Sequence, residues 1–121
     1  MGGGAPMSGT GTIYLLHFMR PFGHARHYLG WSDNLSARLD RHASGNGARL
    51  LAAAYAVGVR WRLARVWEGP RARERQIKRQ GGLSRSCPLC GVIPRRRDRG
   101  LNLAALQRFA AYAAVPEELD W

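Results

Sequence analysis

The sequence predicts an α+β fold: a small, mainly antiparallel three-stranded sheet flanked by helices. Three observations lead there. Two stretches rich in β-branched and aromatic residues stand on either side of a Pro/Gly turn near the start of the chain. A third stretch alternates apolar and charged residues between positions 59 and 67. The segments between and after these strands carry apolar residues at helical spacing, bounded by capping and breaking residues.

Taken in order, residues 1–9 are a Gly-rich lead-in with neither the basic start nor the apolar core of a secretion signal. Thr10–Phe18 (TGTIYLLHF) reads as a strand, Met19–Ala25 as a turn around Pro21 and Gly23, and Arg26–Trp31 as the returning strand of a hairpin. Ser32 is a good N-cap, Asp33 suits a first helical turn, and a helix to about His42 would bury Leu35 and Leu39. Ser44, Gly45, Asn46 and Gly47 interrupt it. Ala48–Ala56 is helical in composition, with Gly58 beyond its end. Val59–Trp67 then gives a half-buried third strand, with Val59, Trp61, Leu63 and either Val66 or Trp67 pointing inward. A further helix starts at Gly69 and Pro70, runs to about Gln80 and stops at Gly81 and Gly82. Ser84–Gly100 reads as irregular and very basic, and Leu101–Ala114 as an amphipathic helix followed by Pro116. Glu117, Glu118 and Asp120 form an acidic tail. At 121 residues there is room for one domain. Residues 10–82 would be its main body, with 83–121, a basic Cys-x-x-Cys segment and C-terminal helix, packed on it. No apolar run reaches the length of a membrane span, and a cytoplasmic location is expected.

The charge is the strongest compositional signal, at +11 overall. Thirteen basic residues between Arg60 and Arg99 face only Glu68, Glu74 and Asp98. GC-rich codon usage accounts for eighteen of the nineteen basic residues being Arg, but not for the scarcity of acids to balance them. Such an excess favours a nucleic-acid partner, because basic side chains release the counterions condensed on the phosphate backbone.

One ordered set of residues narrows the class. The tripeptide Thr12-Ile13-Tyr14 lies in the first strand and Tyr28-Leu29-Gly30 in the second, with thirteen residues between the tyrosines. Leu35, Arg38, Leu39 and His42 follow on one helix, and Glu74 stands on a later one. This order resembles the GIY-YIG nucleases over roughly Thr12 to Gly82. Thr replaces the first Gly of the family's pattern, Leu29 an Ile, and Trp31 a residue that is often Lys or Tyr. The resemblance implies an endonuclease with Tyr14, Tyr28, Arg38, His42 and Glu74 as catalytic residues and Glu74 as the ligand of a divalent ion. Taken singly, each has a plainer reading: Glu74 and Lys78 form an i,i+4 surface ion pair, the tyrosines are core aromatics, Arg38 is a solvated charge on a helix, and His42 is a surface or core-edge residue.

The chemistry of phosphodiester hydrolysis fits the implied roles. A single carboxylate suffices for Mg²⁺ or Mn²⁺, which keep waters and substrate phosphate as their other ligands. A guanidinium matches a phosphate bidentately. For the general base the expectation is Tyr14 as base or water-positioner, with Arg38 and the metal lowering its pKa of about 10 and His42 assisting.

Cys87 and Cys90 have the spacing of a zinc knuckle, but structural Zn²⁺ needs four ligands. Only His17, His24, His27 and His42 could complete the set, and none has paired spacing along the chain. Reduced thiols are therefore the expectation and zinc the alternative. Arg95, Arg96 and Arg97, with Lys78, are candidate phosphate contacts. The expected function is a metal-dependent endonuclease acting on DNA in repair or recombination. The competing class is a catalytically inactive nucleic-acid-binding module on the same fold. No helix-turn-helix or zinc-finger array accompanies either.

Overall fold

The structure, a computed structural model, describes residues 10–113. The lead-in at 1–9, the acidic tail and Pro116 lie outside the described residues. Strands β1 (Thr10–Phe22), β2 (Ala25–Ser32) and β3 (Trp61–Pro70) form one sheet in the order β2-β1-β3, both pairings antiparallel. Helices α1 (Leu35–Ala43) and α2 (Arg49–Ala56) connect β2 to β3, α3 (Arg71–Gln80) follows β3, and α4 (Arg96–Arg108) comes last. The α+β architecture is the expected one. Among the described residues no helix is long and apolar enough to cross a membrane.

Alternation along β1 divides the core in two. Tyr14, Leu16 and Phe18 point to one face, where Leu35 and Leu39 of α1, Leu51 and Ala54 of α2 and Leu106 of α4 cover them. Ile13 and Leu15 point to the other, against Leu29, Ala64, Ile77 of α3 and Cys87. β3 serves both faces through a bulge: Leu15 pairs with Arg65 but Leu16 with Leu63, so Ala64 is an extra residue. The bulge makes Leu63, Ala64, Arg65 and Val66 four consecutive buried residues, which is why strict alternation does not decide between Val66 and Trp67.

Several boundaries differ from the sequence expectation. β1 runs to Phe22, into the segment expected to be a turn, and only Gly23 and His24 separate it from β2. Pro21 has no N–H for a ladder, and it falls where β1–β2 pairing shifts between His17 and Phe22. Helix α1 starts at Leu35, not Asp33. Its cap is Asn34, whose Oδ1 accepts from the Ala37 amide at 3.1 Å, while Ser32 Oγ accepts from Asn34 N at 2.9 Å. The segment read as irregular contains two short 3₁₀ turns, Leu83–Ser86 and Pro88–Cys90, and the start of α4 at Arg96. That early start is anchored by bonds beyond the helix. Arg99 Nε donates to Pro94 O at 3.0 Å, and the buried Asn102 spans to β3, accepting from Val66 N at 2.8 Å and donating to Ala64 O at 3.4 Å.

Candidate functional site

Tyr14 and Tyr28 converge because of the hairpin register. Tyr14 lies opposite Gly30, and Leu16 opposite Tyr28, so both tyrosines occupy the face covered by α1. Gly30 is needed there: a Cβ on it would stand 2.5 Å from the Tyr14 hydroxyl and ring. On α1, Leu35, Leu39 and His42 share one buried stripe, which delivers His42 to the tyrosines. The Tyr14 hydroxyl and His42 Nε2 share a hydrogen bond of 2.7 Å. Ring centroids are 6.2 Å apart for Tyr14 and Tyr28, and 5.6 Å for Tyr28 and His42.

The electrostatics of this cluster follow from its burial. The His42 pKa is pushed down to about 4, by burial first and then by Arg38 and Arg41, so the imidazole is neutral near pH 7. Its Nδ1 is buried without a hydrogen-bond partner, facing Gly47, where an added Cβ would collide with it. The Nε2 atom, bonded to the Tyr14 hydroxyl, is thus the ring nitrogen of His42 with a hydrogen-bond partner. Burial, then Tyr28, holds the Tyr14 phenol well above its ordinary pKa; Arg38 pulls the other way, as expected from the sequence, but is outweighed. Without further charge beside it, the Tyr14 hydroxyl keeps its proton and acts as a hydrogen-bonding group.

Glu74 is in the first turn of α3, where a carboxylate is favoured by the helix dipole. Its side chain is 13% exposed and pairs with Lys78 Nζ at 2.9 Å. Among the described residues no hydrogen bond or ion pair joins Glu74 to Tyr14, Tyr28, Arg38 or His42; Ile77, one turn on, packs against the other face of the sheet. Trp31 ties β2 to the start of α3. Its Nε1 donates to Gly69 O at 2.9 Å, and Arg71 stacks over the indole at 4.8 Å. Arg95, Arg96 and Arg97 are exposed at the N-terminal end of α4, remote in sequence from the tyrosines.

A second cluster lies on the opposite face. His17 and His27 are cross-strand partners, their Nδ1 and Nε2 atoms 3.3 Å apart. The turn at Pro88–Cys90 brings Cys87 Sγ to 3.4 Å from His17 Nδ1, and Cys90 Sγ to 3.4 Å from His27 Nε2 and 3.7 Å from His17 Nδ1. The four donor atoms lie within 4.8 Å of one another and could hold a metal ion. The alternative to reduced thiols thus has the four donors it needs, although the sequence spacing offers no paired histidines. The histidines are not paired along the chain; they are paired across the hairpin. The signal is present in the sequence: the residue numbers of Tyr14 and Gly30 add to the same total as those of His17 and His27, so the register that joins the tripeptides also joins the histidines. No family model, no curated protein and no solved structure matches this chain.

Proposed function

We propose that the protein is a metal-dependent endonuclease that hydrolyses phosphodiester bonds in DNA, in repair or recombination. The observation that carries this reading is the buried Tyr14–His42 hydrogen bond, with Tyr28 and Arg38 beside it. A neutral imidazole bonded to a phenol orients that phenol and can relay its proton. In the proposed mechanism the tyrosines position the attacking water, Arg38 binds the phosphoryl oxygens as charge builds on them, and His42 braces Tyr14. Glu74 would hold one Mg²⁺ or Mn²⁺, with Lys78 turning from the carboxylate to a substrate phosphate. The basic excess between Arg60 and Arg99, with Arg95, Arg96 and Arg97 exposed, supports a polyanionic substrate.

The Glu74–Lys78 ion pair favours a second reading, a nucleic-acid-binding module without catalysis. Plasmid, flap and junction DNA, with an RNA hairpin alongside, incubated with the protein and Mg²⁺ or Mn²⁺, separate the two. Cleavage by the wild type that is lost in Arg38→Ala and Glu74→Gln, with DNA affinity retained, supports the nuclease. Binding without cleavage in either metal gives the function to the binding module, and cleavage of the RNA alone changes the substrate.

A further inference from the structure

We propose that His17, His27, Cys87 and Cys90 form a structural zinc site that clamps the segment after α3 onto the β1–β2 hairpin. A tetrahedral ion with Zn–S of about 2.3 Å and Zn–N of about 2.0–2.1 Å requires ligand separations of roughly 3.4 Å between nitrogens and roughly 3.6 Å between nitrogen and sulfur. The separations found are 3.3 Å between the nitrogens, and 3.4, 3.4 and 3.7 Å between nitrogen and sulfur. Four of the six edges of one tetrahedron are thus close to their required lengths, and all four donors, from two distant parts of the chain, lie within 4.8 Å of one another.

The backbone around the cysteines has the form of a metal knuckle. Cys90 N donates to Cys87 O at 3.0 Å, Val92 N to Cys87 O at 3.2 Å and Gly91 N to Pro88 O at 3.0 Å. Gly91, at φ +93°, supplies the left-handed residue that turns the chain away. Arg65 secures the turn from below, its guanidinium donating to Ser86 O at 3.1 Å. On the hairpin side, the imidazoles are fixed by cross-strand pairing.

Donor chemistry selects the ion. Two thiolates and two imidazoles suit zinc and are poor ligands for Mg²⁺, Mn²⁺ or Ca²⁺, which prefer oxygen. Two thiolates and two neutral imidazoles also cancel the charge of Zn²⁺, so a neutral unit adjoins the apolar cluster of Leu15, Leu29 and Ile77 to which Cys87 belongs. All four positions are taken by protein atoms, leaving none open for water, as in structural rather than catalytic sites. Binding to the folded chain alone adds the binding free energy to folding.

The test uses the full chain, purified under thiol reductant, with zinc content measured directly and cobalt exchanged for zinc. The expected result is one zinc per chain, and a cobalt form with thiolate-to-metal absorption in the near ultraviolet and the intense visible bands of a four-coordinate ion. Cys90→Ser and His27→Ala should weaken metal binding more than about 100-fold, beyond the loss typical of outer-shell changes; His24→Ala, on the exposed turn, should leave it unchanged. Chelation should lower the melting temperature. Zinc well below one per chain with a featureless cobalt spectrum, or iron or copper in its place, would each overturn the proposal. The wild-type metal content and spectrum decide even if a variant fails to fold.

Discussion

On one face of the sheet, Tyr14, Tyr28 and His42 sit among Leu16, Leu35 and Leu39. On the other, His17 and His27 meet two cysteines that arrive about seventy residues later in the chain. Both faces draw their first two polar groups from the same hairpin register. They differ in what holds the third. His42 is delivered by the apolar stripe of a helix and sealed by close packing at Gly47. Cys87 and Cys90 are delivered by short 3₁₀ turns that have no such stripe. A packed face orders itself; a short turn carrying converging donors gains from an ion to do the same.

Three experiments sharpen that contrast. The largest effect is expected at Gly30. A methyl there enters the space of the Tyr14 ring, and overpacking a strand-bound site should destabilise the fold by about 3 kcal/mol. Urea unfolding should show it equally with zinc present and after chelation. An unchanged midpoint would mean that packing does not hold the tyrosine face. The second tests His42. Its folded pKa of about 4 lies below the ordinary value of 6.5, so its contribution to stability is present above pH 6.5 and is lost as pH falls toward 4. The loss should be at most about 3 kcal/mol, read as the difference between the pH–stability curves of wild type and His42→Gln. Parallel curves would show that the imidazole is not held neutral. The smallest effect on the fold is expected from replacing the exposed Arg95, Arg96 and Arg97 with Gln, within about 0.5 kcal/mol. The same triple variant should flatten the log–log salt dependence of DNA binding by up to about 3, if each contacts one phosphate. An unchanged slope would place the DNA away from these three arginines.

The contrast also explains which features are legible in the sequence. Strand and helix types from Thr10 to Gln80 are legible because their apolar periodicities are local, and the tripeptides, Arg38 and His42 fall on elements with strong patterns. Glu74 is legible as a helix residue, but a one-dimensional reading does not show that α3 packs across the sheet from α1. The bulge at Ala64 is hidden because it breaks the very alternation that marks β3. The early start of α4 depends on Asn102 and Arg99 reaching partners distant in sequence or outside the helix, which helical propensity does not register. The histidine–cysteine cluster is legible only through the hairpin register, because its donors are spaced across a ladder and not along the chain.

Asn102 has one more consequence. β3 is an edge strand, and its outer side would offer free amides and carbonyls to any passing chain. The Asn102 side chain takes up Val66 N and Ala64 O, while Leu63 N donates to Tyr112 O at 2.7 Å, so α4 and the residues after it stand in for a fourth strand. Shortening the chain ahead of α4 would therefore do more than remove a helix. It would convert a guarded margin into an adhesive one, open to pairing with another chain.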